Sequence, residues 1–171
     1  MAGGRAIYRG KITRAAAEAR IAGIWRPYHA QLAQELELLH RAFGRAILID
    51  LHSMPQEALD GFGRARPDIV LGDRFGAAAD GAIARAVQMA FEAEGFRVVR
   101  NKPFAGAYIV TRYGRPHQGY HAIQIEVNRS LYMDEAAILP LPDFDAFAAR
   151  MLRAFGRICD LGAQDLRLAA E

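Results

Sequence analysis

The chain has little of several residues that mark particular classes of protein. Cys159 is the single cysteine among 171 residues, so no internal disulfide forms and a cysteine-rich zinc module is excluded. Lysine is almost as scarce, with Lys11 and Lys102 alone, and the formal net charge is only +3. No run of about five or six like charges occurs. The scattered arginines therefore indicate a solvated surface, and we expect no nucleic-acid partner.

Long hydrophobic runs are also missing. No apolar stretch approaches the roughly 20 residues that cross a bilayer, so we expect no membrane partner. We expect no cleavable signal either, and the single cysteine fits a reducing compartment, which together predict a cytoplasmic protein. The hydrophobic fraction of 52% and the charged fraction of 24% suit a well-buried core. We predict one domain over residues 1–171.

The pattern of apolar residues predicts helices that alternate with short strands. Helices are predicted from Thr13, with an interruption or kink near Trp25 caused by Pro27, from Asp80 to about 94, and from Asp143 to about 159. Strands are predicted over 46–51, 68–71, 96–99, 108–111 and 121–127, and a loop over 56–67. A stripe spaced for one helical face is interpreted as core: Tyr28, Leu32, Leu36, Leu39 and Phe43. This alternation predicts an α/β sandwich.

The most informative segment is an apolar strand followed by Asp50, His52 and Ser53. Alternation along a strand puts Asp50 and His52 on one face. Burying two ionisable groups is costly unless they have partners, so we predict a site at the carboxyl end of this strand. A structural histidine bonded to the backbone is an equal alternative for His52. We favour a capping role over a nucleophilic one for Ser53, because no Gly-x-Ser-x-Gly turn surrounds it.

Polar side chains form four clusters that follow strands or occupy loops. The clusters are Asp50/His52/Ser53, Arg66/Asp68 with Asp73/Arg74, Arg100/Asn101 with Tyr108, and Glu126/Asn128/Arg129. If the strands are parallel, the first and last clusters meet at one edge of the sheet. An imidazole, a carboxylate and a guanidinium together suit metal-assisted hydrolysis of an amide on an acidic substrate. A solvated Glu126 on the polar face of its strand is the competing interpretation.

Five segments, in order along the chain, resemble the N-formylglutamate amidohydrolase family. They are residues 25–29 (Trp-Arg-Pro-Tyr-His), 48–55 (Leu-Ile-Asp-Leu-His-Ser-Met-Pro), 66–73 (Arg-Pro-Asp-Ile-Val-Leu-Gly-Asp), 101–108 (Asn-Lys-Pro-Phe-Ala-Gly-Ala-Tyr) and 124–135 (Gln-Ile-Glu-Val-Asn-Arg-Ser-Leu-Tyr-Met-Asp-Glu). The family is similar to zinc carboxypeptidases and aspartoacylases. The resemblance therefore implies a phosphorylase/hydrolase-like, three-layer α/β sandwich around a mixed, mostly parallel sheet.

The resemblance also implies an activity and a set of site residues. The activity is the release of formate from N-formyl-L-glutamate during histidine degradation, so the expected partner is a small acidic N-acyl amino acid. By the resemblance His52 is a zinc ligand, and Glu126 activates the metal-bound water. Arg129 with Asn128 binds the substrate carboxylates. Tyr108 and Arg100 are further pocket residues.

One part of the family pattern is not found in this sequence. Family members carry an N-terminal Pro-His-Ser-Gly motif and a later acidic motif that supply the other two zinc ligands. We therefore expect residues 1–171 to correspond to the C-terminal part of the fold, with weak zinc binding and little activity in this form. We also expect an exposed sheet edge that favours self-association. The alternative function is that of a non-catalytic relic or an interaction protein of the same fold.

Overall fold

Helices and strands alternate along the chain, as the apolar pattern predicts. The computed structural model describes residue 6 and residues 8–168, with side chains as far as residue 161. The strands are β1 (Ala46–Met54), β2 (Ile69–Gly72), β3 (Val98–Arg100), β4 (Tyr120–Asn128), β5 (Met133–Asp134) and β6 (Leu139–Pro140). The helices are α1 (Arg14–Arg20), α2 (Arg26–Phe43), α3 (Gly81–Glu92), α4 (Tyr108–Tyr113) and α5 (Phe144–Leu168). Within this described part, no helix is long and apolar enough to cross a membrane.

Capping side chains set the helix starts that the sequence predicts. The Thr13 hydroxyl accepts a hydrogen bond from the Ala16 N–H at 3.2 Å, and the Asp80 carboxylate accepts one from the Ala82 N–H at 2.7 Å. The interruption predicted near Trp25 takes the form of a π-helical turn, Ile21–Trp25, which joins α1 to α2. Pro27 follows in the first turn of α2, and a proline and a π-helical turn both disturb the regular hydrogen-bond ladder of a helix.

The main sheet has the strand order β1-β4-β2-β3. The pairs β1–β4 and β2–β3 are parallel, and β2 runs antiparallel to β4. The predicted mixed, mostly parallel sheet is therefore confirmed. The register of β1 and β4 places His52 opposite Glu126, and the register of β2 and β4 places Val70 opposite Glu126 on the same face.

Helices cover both faces of this sheet, which gives the predicted three layers. One face packs against α3 and α5, and its core includes Leu71, Ile123, Phe91 and Ala154. The opposite face is covered by α2, α4 and a 3-10 segment, Gln56–Ala65. This second face also carries the polar side chains of the site. The site therefore lies between the sheet and the layer formed by α2, α4 and the 3-10 segment.

The structure corrects three local predictions. β1 continues to Met54, so His52 lies inside the strand and not beyond its end. The predicted loop over 56–67 is largely the 3-10 segment. The predicted strand over 108–111 is α4, whose Val110 packs against Ala78 and Ala122. A short β-branched run does not distinguish a strand from a buried helical turn, and tertiary packing decides between them here.

The apolar stripe on α2 is only partly core. Leu36 is buried against Ala46 and Tyr113, as predicted. Tyr28 and Phe43 are 54% and 50% exposed, however, and Leu39 is exposed as well. The prediction that the whole stripe is core is wrong, because the sheet and α4 cover only one side of this helix.

β1 forms one edge of the main sheet, and no strand of the described chain pairs with its outer side. Leu51 on this strand is 55% exposed, and Leu152 on the neighbouring face of α5 is 73% exposed. Both line an apolar groove of about 570 Å³ together with Tyr132 and the aromatic side chains of α5. The predicted exposed edge is thus present, and it is bordered by apolar surface.

Candidate active site

His52 and Glu126 are brought together by the parallel pairing of β1 and β4. His52 Nδ1 lies 4.0 Å from Glu126 Oε1, and His52 Nε2 lies 2.9 Å from Asp50 Oδ1. Asp50 therefore holds the imidazole from its Nε2 side, and Nδ1 is the ring nitrogen that faces Glu126. This contact orients the imidazole, in keeping with the alternation along β1.

Glu126 is a buried carboxylate in a polar setting. Burial raises the pKa of Glu126 above its usual value, while the Gln124 amide, His52 and Arg129 lower it in part. A carboxyl group whose pKa is raised toward neutral pH exchanges a proton with water more readily. The solvated alternative for Glu126 is excluded, because the side chain is only 9% exposed.

A cavity of about 490 Å³ opens beside this carboxylate. Its lining residues come from the end of β1, the 3-10 segment, the loop before α4 and the end of β4: Ser53, Met54, Pro55, Glu57, Phe104, Glu126 and Arg129. Arg129 donates to Ser53 Oγ at 3.1 Å through Nε and to the Ser53 carbonyl at 3.3 Å through Nη2. Ser53 thus holds the guanidinium in place, which supports a positioning role over a nucleophilic one.

Three other predicted residues lie outside this cavity. Asn128 accepts hydrogen bonds from the Ser130 N–H and hydroxyl, at 3.1 and 2.9 Å, and caps the turn that follows β4. Arg100 pairs with Asp73 and lines a small cavity against α3, on the other face of the sheet. The ring of Tyr108 packs against Trp25 and His29. Substrate binding by these three residues stays a prediction.

Two residues at the site were not singled out from the sequence. Gln124 contacts Glu126 directly, and Phe104 forms an apolar wall of the cavity. The available signal for Gln124 was its place two positions before Glu126 on the same strand face. Phe104 gave no such signal, because only the folded loop brings it to the cavity.

The described residues do not make up a zinc site by themselves. No group of three His, Cys, Asp or Glu side chains among them is arranged to hold a metal ion. His52 Nδ1 faces the Glu126 carboxylate, and Asp50 Oδ2 is buried without a hydrogen-bond partner. Catalytic zinc usually has three protein ligands, however. We therefore assign no catalytic step to a metal.

The fold and this arrangement define a three-layer α/β protein in which a buried carboxylate faces an imidazole across two parallel strands. The chain belongs to the N-formylglutamate amidohydrolase family, whose model matches residues 1–133. The five ordered segments that suggested this family lie within or just beyond that range. The predicted family is therefore confirmed.

Curated relatives and a solved structure agree with this assignment. The chain is 39% identical over 137 residues to an N-formylglutamate deformylase of Pseudomonas aeruginosa, covering 78% of this chain and 52% of that protein. It is 41% identical over 113 residues to the Pseudomonas putida deformylase, covering 66% and 42%. The structure of N-formylglutamate amidohydrolase from Ralstonia eutropha JMP134 matches with a TM-score of 0.81 at 30% identity, covering 94% and 57%. The chain spans about half the length of the curated relatives it matches.

Proposed function

We propose that this chain takes part in the hydrolysis of the formamide bond of N-formyl-L-glutamate, with Glu126 as the group that moves the proton. The observation that carries the proposal is the placement of Glu126 and Arg129 in one cavity, with His52 opposite Glu126. The names of the two Pseudomonas relatives support this substrate. Histidine degradation as the pathway and the cytoplasm as the compartment are parts of the same proposal.

The proposed reaction follows from the chemistry of these side chains. Arg129 binds a carboxylate of the substrate through charge-assisted hydrogen bonds. Glu126 accepts a proton from the water whose oxygen attacks the formyl carbon. The carbon–nitrogen bond then breaks, and Glu126 returns the proton to the departing amine nitrogen. The products are formate and glutamate, and Glu126 regains its starting charge.

Zinc remains part of the proposal through His52. Nδ1 is the His52 nitrogen that would hold the metal, and an acidic side chain at the other ring nitrogen, as Asp50 is here, is the arrangement that orients metal-binding histidines. The remaining donors would lie outside the described residues. Zinc content per chain, compared between the wild-type protein and His52→Ala, tests this assignment, and zinc retained by the variant would contradict it.

The activity is tested by formate release from N-formyl-L-glutamate, using the purified full chain with and without excess Zn²⁺. Formate dehydrogenase converts the released formate into a spectroscopic signal. Formate release above the buffer rate supports the proposal. No release at saturating substrate and zinc overturns it for this chain and favours the second candidate function below.

Replacing Arg129 with methionine is expected to raise KM for N-formyl-L-glutamate by about 10- to 100-fold, with a smaller change in kcat. A hydrogen bond to a charged group contributes about 1.5–3 kcal/mol, and Arg129 is the basic residue that lines the cavity. Steady-state kinetics measure the change. Arg64→Met is the matched control, because Arg64 is an exposed arginine that lines a different cavity. Equal effects of the two substitutions would contradict the role of Arg129.

A second candidate function is that of a non-catalytic interaction protein, and the open edge of β1 favours it. An unpaired strand edge next to apolar surface is a template for another chain. The groove beside β1 contains both the exposed Leu51 and the exposed Leu152. A second copy of this chain, added at the β1 edge, would cover these side chains.

We expect the purified protein to self-associate, and Leu152→Lys to weaken its dimerisation constant at least about tenfold. Burying a leucine contributes about 1.5–3 kcal/mol, which a lysine at the same place would not provide. Light scattering coupled to size-exclusion chromatography measures the mass. Met89→Lys is the control, because Met89 is 58% exposed on α3, away from the groove. A monomer at all concentrations would contradict this expectation.

A further inference from the structure

We propose that Gln124 is a positioning residue that holds the carboxylate of Glu126 in one orientation in the cavity. Gln124 lies on β4, two residues before Glu126, and is 3% exposed. Its amide accepts a hydrogen bond from the Ala107 N–H at 2.7 Å and donates one to Glu126 Oε1 at 2.7 Å. The inference rests on the proposed function only in naming Glu126 as the proton-moving group.

The orientation of the Gln124 amide follows from its partners. A backbone N–H is only a donor, so the atom that faces Ala107 must be the amide oxygen. The amide nitrogen must then face Glu126. A flipped amide would put two donors together at Ala107 and an oxygen against the carboxylate. One backbone group therefore fixes the direction in which Gln124 donates.

The Ala107 N–H is itself held in place by the sheet. The loop before α4 packs directly against the end of β2, where Gly72 has no side chain to keep it away. The Arg74 N–H also donates to the Ala105 carbonyl at 2.8 Å. The loop, Gln124 and Glu126 thus form a continuous hydrogen-bonded chain from a fixed backbone to the buried carboxylate.

This chain has a consequence for the chemistry at Glu126. Oε1 accepts the hydrogen bond from Gln124, so this bond fixes the direction of the carboxylate plane, and Oε2 is the oxygen that Gln124 does not contact. Holding a reacting group in one geometry accelerates a reaction, and a misplacement of about 1 Å costs up to about 100-fold in rate.

The first test is spectroscopic and does not need enzymatic activity. In the wild-type protein we expect one side-chain N–H proton of Gln124 to exchange slowly and to show a coupling across the hydrogen bond to the carboxyl carbon of Glu126. In Glu126→Ala we expect the coupling to vanish and the exchange to accelerate at least about tenfold. A Gln124 side-chain signal that Glu126→Ala leaves unchanged would overturn the proposal.

The second test is kinetic. Gln124→Met keeps a similar volume but removes both hydrogen bonds, so we expect kcat to fall about 10- to 100-fold with KM changed less than about twofold. Gln88→Met is the matched control, because Gln88 donates to Glu92 on α3, on the other face of the sheet. If Gln124→Met does not fold, Gln124→Ala also removes the donor to Glu126 and adds no buried charge, so it should show the same kcat loss.

The two tests separate this inference from the proposed function. The coupling between Gln124 and Glu126 without any formate release supports the positioning role and overturns the activity. Formate release by a protein in which Gln124→Met keeps the wild-type kcat supports the activity and overturns the positioning role. A kcat that is lower in Gln124→Met but not in Gln88→Met, together with the coupling between Gln124 and Glu126, supports both the activity and the positioning role.

Discussion

Replacing Glu126 with glutamine is expected to lower kcat for formate release by about 100- to 10,000-fold and to leave KM nearly unchanged. Glutamine has almost the same shape, and its carbonyl oxygen still accepts the hydrogen bond from Gln124. It has no basic oxygen that takes a proton from water, and proton transfer by a positioned side chain contributes about that much to catalysis. Steady-state kinetics at saturating zinc measure the loss, and the zinc content should stay the same.

The chain offers a close control for this substitution. Glu57 lines the same cavity as Glu126 but is exposed on the 3-10 segment. Glu57→Gln removes a carboxylate of the same type at the same cavity, so its kcat should stay within about threefold of wild type. An equal loss in both variants would mean that the general charge of the cavity matters, and not a proton moved by Glu126.

Glu126→Gln should also change how stability depends on pH. Because burial raises the pKa of Glu126, the folded protein binds a proton more readily than the unfolded chain. Stability is therefore lost as pH rises from the unfolded pKa through the folded pKa. Above this window we expect the variant to melt higher than wild type, and at acid pH the two should converge. A gain in stability of this kind is common when a substitution removes a charge that a functional site keeps buried.

The central pairing of the site could be predicted because it depends on a simple property of strands. Asp50 and His52 alternate with apolar residues in β1, and Glu126 alternates with Ile125 and Val127 in β4. Once the two strands are parallel neighbours, the matching faces must meet. The alternation does not give the length of the strand, so the sequence predicts His52 beyond the end of β1, whereas the strand continues to Met54.

Residues outside that pairing were harder to place, because a position next to a strand does not tell which layer a side chain enters. Arg100 is opposite Leu71, and Leu71 belongs to the core under α3 and α5. That register puts Arg100 on the side away from Glu126, where Asp73 pairs with it. The sequence predicts Tyr108 on a strand, whereas it is the first residue of α4. The pairing of β2 with β3 decides where Arg100 lies, and the packing of α4 decides where Tyr108 lies.

Replacing Gly72 with alanine is expected to destabilise the fold by about 1–3 kcal/mol, a typical cost of overpacking. A Cβ atom at Gly72 would lie 2.6 Å from the Gly106 nitrogen and 2.7 Å from the Ala105 carbonyl carbon. Both are backbone atoms, so the loop before α4 must move as a whole. For a chain of this size the loss corresponds to roughly 3–10 °C in Tm, measured by circular dichroism.

The same displacement should reach the site, because this loop carries the Ala107 N–H that holds Gln124. We therefore expect Gly72→Ala to lower kcat as well, even at temperatures where the variant is fully folded. Gly156→Ala is the control, since Gly156 lies in α5 with nothing within 4 Å of an added Cβ, and it should gain about 0.5–1 kcal/mol. If Gly72→Ala were as stable and as active as wild type, the close contact between this loop and β2 would be wrong, and with it the fixed backbone from which Gln124 is oriented.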